Sequence, residues 1–152
     1  MARSQRGGVW FALQSAFLLA LLGSPFIDRR RPPPAVRILG LSLVASGAGV
    51  AVAGYRELGV SHSPWTTPAG DDGRLVTTGI YGRLRHPIYA GWCLGSLGLE
   101  VLAGSRLGGG VVGALMVFYD LKSREEDKLL AARYPCAGDY RAAVKRFIPG
   151  IY

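Results

Sequence analysis

The chain has 152 residues, and its 18 Lys and Arg residues outnumber its 10 Asp and Glu residues, which gives a formal net charge of +8 at pH 7. Because 49% of the residues are hydrophobic and only two are cysteines, the composition excludes both a disordered basic tail and a disulfide-stapled secreted module. A basic nucleic-acid-binding protein and a membrane protein remain. The apolar residues lie in long uncharged blocks and no nucleic-acid recognition module is visible, so we expect a membrane protein that binds no nucleic acid.

The first two apolar blocks are long enough to cross a bilayer. Residues 9–27 and 38–55 carry no charge, and about 20 apolar residues are needed to span the hydrocarbon core. The second block is rich in Gly, Ala and Ser, the small residues that let membrane helices approach closely. A cleaved secretory signal is the alternative for the first block, but Leu22-Gly23-Ser24 is a poor cleavage site and Pro25 follows it.

Two shorter apolar blocks follow a polar segment. Residues 56–85 contain Pro64, Pro68 and a Gly-Asp-Asp-Gly turn, which predicts a loop outside the bilayer. Beyond it, residues 86–103 and 107–121 are separated by a Gly-Ser-Arg turn and predict a membrane-spanning helical hairpin with Glu100 near its turn. A soluble helical hairpin is the alternative.

The last segment, residues 122–152, is polar and predicts a helical tail. The final span should continue as an amphipathic helix to about Tyr134, where Pro135 stops it, and a short second helix should end at Pro149. With four crossings, thirteen Lys and Arg residues lie on the side of the termini and five on the other side. The positive-inside rule therefore places both termini and the tail in the cytoplasm. The predicted fold is an all-α integral membrane bundle of about four helices, in a single domain of residues 1–152.

The hairpin brings two polar stretches to one membrane face. Pro87 suits the first turn of a helix, and the free amides there form an anion site together with the helix dipole and Arg85. Glu125, Glu126 and Asp127 supply the opposite charge where the last helix leaves the lipid. A cationic cleft beside carboxylates suits a zwitterionic ligand.

These residues carry a resemblance to a known family. The pattern Arg85-His86-Pro87-Ile88-Tyr89, then a hydrophobic hairpin, then Glu125-Glu126-x-x-Leu129 and a tail with Tyr134-Pro135, Tyr140 and Arg146-Phe147-Ile148-Pro149 resembles the isoprenylcysteine carboxyl methyltransferase superfamily. That superfamily also includes phospholipid N-methyltransferases and small prokaryotic thiol or lipid methyltransferases. The match covers about residues 75–152. It departs from the family pattern at Ala137, where the tail usually has an earlier tyrosine.

The resemblance implies an integral membrane enzyme that uses S-adenosylmethionine to methylate a lipophilic or lipid acceptor at the membrane interface. The acceptor expected from the family's namesake is a prenylcysteine carboxylate, and the alternatives are a phospholipid amine and a small thiol. The resemblance implies catalytic roles for Arg85, Glu126 and Arg146, and Arg141 is an alternative to Arg146 for holding an anionic acceptor. It implies cofactor-binding roles for seven residues: Tyr81, Arg85, His86, Pro87, Tyr89, Glu125 and Glu126.

Each assignment has a simpler alternative. His86 is also a plausible helix cap, and the run of acidic residues from Glu125 to Asp127 is also typical of a solvated helix face. The basic tail is also typical of a non-catalytic membrane protein that binds anionic lipids or a partner. Cys93 is expected to be a packing residue, and His62 has no partner spaced for metal binding, so we predict no metal site.

Overall fold

The computed structural model describes residues 2–59 and 75–152, with side chains described from residue 8 onward. The predicted turn at residues 70–73, together with His62, Pro64 and Pro68, lies outside the described residues.

The described residues form five α-helices and one 3-10 turn, without a β-strand, which confirms the all-α prediction for this part of the chain. The 3-10 turn spans Gly79–Gly82 and lies between the second and third helices. The helices, in chain order, are α1 (Ala2–Ile27), α2 (Pro34–Leu58), α3 (Pro87–Ala103), α4 (Arg106–Arg133) and α5 (Ala137–Ala143). Within the described residues, two stretches are long and apolar enough to cross a membrane: Gly8–Ile27 of α1 and all of α2.

Local sequence signals explain where several helices begin and end. Pro34 and Pro87 occupy the first turns of α2 and α3, where a missing amide hydrogen costs nothing. Gly104 ends α3 in the left-handed conformation with a φ of 65°. The Ser105 hydroxyl then caps α4 by accepting a hydrogen bond from the Gly108 amide at 2.9 Å.

Glycines allow α2 and α3 to approach each other at backbone distance. A Cβ atom built on Gly47 would lie 2.7 Å from the Gly91 carbonyl oxygen, and one built on Gly91 would lie 2.6 Å from the Gly47 carbonyl oxygen. The same contact recurs further along the pair, where a Cβ on Gly98 would lie 2.7 Å from the carbonyl oxygen of Gly40. The small residues of the second apolar block therefore serve helix packing.

Aromatic side chains pack α1 against α4. Trp10 and Phe17 of α1 both pack on Phe118, with ring centroids 5.4 and 5.3 Å apart. Leu21 joins Leu115 in the buried cluster at the centre of this seam. Cys93 packs at the edge of the same cluster, as expected for a packing residue.

At one end of the bundle, the connection between α1 and α2 contacts the turn between α3 and α4. The Arg30 amide donates to the Ala103 carbonyl at 3.1 Å, and the Asp28 carboxylate accepts from the Arg106 amide at 3.0 Å. The buried Glu100 carboxylate accepts a hydrogen bond from the Ser24 hydroxyl at 2.7 Å. Since α3 and α4 turn back on each other at this end, the start of α3 and the later part of α4 meet at the opposite end.

The tail differs from its prediction in one respect. α4 ends at Arg133, close to the predicted Tyr134, but α5 stops at Ala143 rather than continuing to Pro149. The reason is that the following residues leave the helix so that their carbonyls can pair with the segment before α3. The predicted end of the second tail helix at Pro149 was therefore wrong.

We expect Gly47→Ala to destabilise the bundle by about 1–3 kcal/mol, because the added methyl group overpacks the α2–α3 contact. Thermal unfolding in detergent, followed by circular dichroism, measures this change. The matched control is Gly49→Ala on the same helix, where an added Cβ meets nothing within 4 Å. Equal melting temperatures for the two variants would contradict the proposed close packing.

Candidate active site

The segment before α3 is held by backbone hydrogen bonds to the tail. The Arg85 amide donates to the Lys145 carbonyl at 2.9 Å, and the His86 amide donates to the Arg146 carbonyl at 3.1 Å. The Tyr140 hydroxyl donates to the Tyr81 carbonyl at 2.7 Å. Burial raises the pKa of Tyr140 to about 12, so this hydroxyl keeps its proton and remains a donor. The tail therefore fixes the orientation of the Arg-His-Pro segment.

Asp127 is the centre of the charged cluster. Its carboxylate accepts from Arg85 Nη1 at 2.6 Å and lies 3.0 Å from His86 Nε2. Arg146 Nε lies 3.8 Å from the same carboxylate. Burial raises the pKa of Asp127, but the His86 hydrogen bond and the nearby positive charges of His86 and Arg85 outweigh burial and hold this pKa below its usual value.

Asp127 was not among the site residues predicted from the sequence, although a signal for it exists. Leu115, Tyr119, Ser123 and Asp127 follow each other at intervals of four residues, and each is at most 3% exposed. This spacing places all four on one inward face of α4. Extending the buried row into the polar part of the helix would have identified Asp127.

Glu126 lies near the second ring nitrogen of the same histidine. Its carboxylate accepts a hydrogen bond from the Tyr89 hydroxyl at 2.5 Å and lies 3.5 Å from His86 Nδ1. The His86 side chain makes no capping hydrogen bond, so it does not serve as a side-chain cap of α3. Both ring nitrogens instead face carboxylates of α4.

Glu125 lies on the outer side of α4. Its side chain is 43% exposed and pairs with Lys128 Nζ at 2.6 Å. Of the two adjacent glutamates, Glu126 is therefore the one that enters the cluster. The acidic run is a solvated face only at Glu125.

Aromatic rings stack beside the charged cluster. The Tyr89 ring lies 5.7 Å from the His86 ring and 4.5 Å from the Tyr119 ring, in nearly parallel orientation to both. Pro87 and Tyr81 are buried at the same end of the bundle. The structure thus brings together the predicted residues Tyr81, Arg85, His86, Pro87, Tyr89, Glu126 and Arg146, and it leaves Glu125 at the edge.

Arg146 joins the cluster from the tail. Its Nη1 donates to Asp120 at 2.5 Å, and the Tyr152 hydroxyl donates to the same carboxylate at 2.8 Å. Arg85 Nε and Arg146 Nε are both buried without a hydrogen-bond partner among the described residues. Two unused donors therefore lie beside Asp127, in a region where buried polar atoms are normally paired.

The sequence of the chain matches a known protein family. A family model described as phospholipid methyltransferase matches residues 35–136, which is more than half of the chain. The chain belongs to the phospholipid methyltransferase family. The family match confirms the resemblance inferred from the Arg-His-Pro motif and the paired glutamates.

Individual relatives of this phospholipid methyltransferase family member match its sequence in part. The protein-S-isoprenylcysteine O-methyltransferase of Dictyostelium discoideum is 35% identical over 86 residues, which are 54% of this chain and 35% of that protein. The protein of the same name from Mus musculus is 33% identical over 81 residues, 53% of this chain and 28% of that protein. The cobalt-zinc-cadmium resistance protein CzcN of Cupriavidus metallidurans is 36% identical over 76 residues, 49% of this chain and 35% of that protein. The chain thus spans about a third of the length of these curated relatives.

A solved structure shares the fold. The eukaryotic intramembrane Ras methyltransferase ICMT (isoprenylcysteine carboxyl methyltransferase) superposes with a TM-score of 0.68 at 23% identity. The superposition covers 99% of this chain and 52% of that protein. The helical arrangement of this family member therefore follows that of a membrane protein.

We expect Asp127→Asn to destabilise the protein by about 3–5 kcal/mol, because it removes one partner of a buried charge cluster and leaves Arg85 uncompensated. Thermal unfolding at neutral pH measures the loss. Asp139→Asn, at an exposed position in α5, is the matched control.

The stability of the wild type relative to Asp127→Asn should depend on pH. Because the pKa of Asp127 is lowered from 3.8 in the folded protein, its ionised form stabilises the fold above pH 3.8, and this contribution is lost as the pH falls through the lowered value. The stability difference between the wild type and Asp127→Asn should therefore shrink in acid. A difference that stays constant across this range would contradict an ionised Asp127.

Proposed function

We propose that this chain is an S-adenosylmethionine-dependent methyltransferase of the membrane, which methylates a lipophilic acceptor at the cytoplasmic membrane interface. One observation supports this proposal most directly. The Arg-His-Pro segment and the acidic residues of α4, 41 residues apart at His86 and Asp127, are in hydrogen-bond contact. The hairpin thus brings the two parts of the motif, the Arg-His-Pro segment and the acidic residues of α4, into one site.

The donor and acceptor groups at this site fit the cofactor. S-adenosylmethionine supplies an electrophilic methyl group when it is bound. The unused Nε donor of Arg85 matches the needs of the cofactor's carboxylate. Glu126, with 18% of its side chain exposed, offers a carboxylate to an ammonium or to ribose hydroxyls. The resemblance assigns cofactor contacts to Tyr81, His86 and Tyr89, whose rings lie at this end of the bundle.

The chain's own residues provide position and a dry environment. Methyl transfer removes a positive charge, so catalysis depends mainly on orienting the acceptor and excluding water. The burial of His86 and Asp127 indicates that little water reaches the cluster. Arg146, held by Asp120, is placed to act electrostatically on an anionic acceptor. The proposed roles require no covalent bond between the protein and the methyl group.

The proposed topology has four membrane crossings. α1 and α2 meet the length and hydropathy expected of spans. α3 and the first part of α4 are the shorter predicted hairpin, with ends near the interface. The excess of Lys and Arg on the side of the termini favours a cytoplasmic site. Membrane lipids would then surround the bundle and deliver the acceptor between helices.

A second acceptor class has support of its own. The matching family is described as phospholipid methyltransferase, and a carboxylate such as that of Glu126 attracts a cationic amine headgroup. The prenylcysteine class is favoured by the names of the relatives from Dictyostelium discoideum and Mus musculus. A small thiol and a non-catalytic lipid-binding role remain outcomes of the experiments that follow.

The cofactor proposal predicts that the purified protein binds S-adenosylhomocysteine. Glu126→Gln should weaken this binding at least about tenfold, because it removes the charge from a hydrogen bond worth about 1.5–3 kcal/mol. Glu125→Gln should leave binding nearly unchanged, since Glu125 pairs with Lys128 on the exposed side. Isothermal titration calorimetry in detergent measures both. If the wild type does not bind, the non-catalytic role is favoured.

The acceptor class is tested by product analysis. We expect methyl-labelled S-adenosylmethionine to label an S-farnesylated N-acetylcysteine as a base-labile methyl ester. Phosphatidylethanolamine in the same micelles is the competing acceptor. Label recovered only in the phospholipid, as an acid- and base-stable N-methyl group, would replace the carboxylate acceptor with an amine.

A further inference from the structure

Five exposed arginines lie at the end of the bundle opposite the candidate site. They stand on the α1–α2 connection, near the start of α2 and at the start of α4, and we call them the arginine cluster: Arg29, Arg30, Arg31, Arg37 and Arg106. The proposed topology places this end outside the cytoplasm, where the positive-inside rule predicts few Lys and Arg residues. The orientation of the chain in the membrane therefore does not explain the cluster.

Backbone contacts hold the arginine cluster together. The Arg30 amide donates to the Ala103 carbonyl at 3.1 Å, and a Cβ atom built on Gly104 would lie 2.9 Å from the Arg30 carbonyl oxygen. One oxygen of the Asp28 carboxylate accepts from the Arg106 amide at 3.0 Å, and the other lies 3.7 Å from Arg30 Nε. The two connections therefore present their arginines side by side on a backbone that is already fixed, which reduces the entropy lost when a ligand binds.

Most of the positive charge in the arginine cluster has no carboxylate partner within the described part of the chain. Arg30 forms a long ion pair with Asp28, and its side chain is still 56% exposed. The ion pairs among the described residues include none of the other four arginines. Glu100, at the same end, is buried and accepts a hydrogen bond from Ser24. The hydrogen bond from the Arg106 amide lowers the pKa of Asp28, so one partly exposed carboxylate faces five exposed guanidinium groups.

Exposed apolar side chains border the arginine cluster on two helices. At the end of α1, Phe26 and Ile27 are 91% and 78% exposed. Near the start of α2, directly after Arg37, Ile38 and Leu39 are 65% and 54% exposed. In a bundle that spans a membrane, such side chains face the lipid hydrocarbon, so the neighbouring guanidinium groups lie at the level of the headgroups. A phospholipid fits both features, because its acyl chains cover the apolar side chains while its phosphate meets the arginines.

We propose that the arginine cluster binds anionic phospholipids of the leaflet at this end of the bundle. The ligand is recognised by a phosphodiester whose headgroup carries no cation of its own, as in phosphatidylglycerol. A guanidinium can donate two parallel hydrogen bonds to phosphate oxygens, and each basic side chain near an anionic membrane surface increases the affinity about fivefold. The headgroup of phosphatidylcholine contains a cation that competes with the arginines for the phosphate. This surface is remote from the candidate site, so the inference does not depend on the proposed methyl transfer.

Binding of two lipids with identical acyl chains tests this assignment. Native mass spectrometry of the purified protein in non-ionic detergent measures dissociation constants for dioleoylphosphatidylglycerol and dioleoylphosphatidylcholine. The wild type should bind the phosphatidylglycerol at least about tenfold more tightly. This preference should decrease as the ammonium acetate concentration rises, because ions screen exposed charges. A wild type that does not distinguish the two lipids would overturn the inference.

A triple variant locates the binding surface. Arg29→Gln, Arg31→Gln and Arg37→Gln together remove three exposed charges that form no ion pair among the described residues, so the protein should keep its melting temperature. The preference for phosphatidylglycerol should fall at least about fivefold. The lysine counterpart, with Lys at the same three positions, keeps the charges and should retain most of the preference. If the lysine variant loses the preference as fully as the glutamine variant, charge is not what binds the lipid and the inference fails.

A control of equal charge excludes an effect of net charge alone. Arg56→Gln, Arg83→Gln and Lys145→Gln remove three exposed positive charges from the end of the bundle that contains the candidate site. This variant should retain the preference for phosphatidylglycerol. Equal losses in the two glutamine variants would mean that the total charge of the protein determines lipid binding, and the arginine cluster would then have no specific role. Binding of S-adenosylhomocysteine by the wild type is a separate measurement, and its failure would overturn the proposed function without affecting this inference.

Discussion

The buried carboxylate of Asp127 joins three parts of the chain that are distant in sequence. It pairs with Arg85 and His86 at the start of α3, while Arg146 approaches it from the tail. None of these charges would be stable alone in a region this poorly exposed, because each loses its hydration on burial. The cluster therefore forms only when the helix pair and the tail are all in place. Its presence makes the candidate site a product of the whole fold.

The opposite end of the bundle makes this meeting possible. Arg30 and Asp28 tie the first connection to the α3–α4 turn, and Ser24 ties α1 to Glu100. Once that end is fixed, the direction of each helix is fixed as well, and α3 must begin where α4 leaves the apolar region. The glycine contacts between α2 and α3 set the distance at which this occurs. Packing at one end and charge pairing at the other consequently act together to determine where the start of α3 meets α4.

The sequence predicted the elements whose signals are local. Uncharged blocks indicate α1 and α2, Pro87 marks the first turn of α3, and the Gly-Ser-Arg turn separates α3 from α4. The adjacency of the Arg-His-Pro segment and Glu126 also followed from the hairpin. Features set by tertiary pairing were missed: the end of α5 depends on backbone partners before α3, and the choice of Glu126 over Glu125 depends on helix rotation. Asp127 was predicted only as part of the acidic run, because its central position depends on partners from α3 and the tail.

The two charged layers of α4 are stabilised in different ways. At Glu126 and Asp127 the negative charges meet positively charged or hydrogen-bonding partners from α3 and the tail, so this layer is internally compensated. One turn closer to the apolar core, the ammonium of Lys122 contacts the neutral amide of Gln14 and the aromatic ring of Tyr89. The outer layer therefore holds its charges by pairing across helices, whereas the inner layer holds one cation with a neutral acceptor and a ring face. Within one turn α4 thus changes from charge pairing to apolar packing, and the candidate site lies at this change.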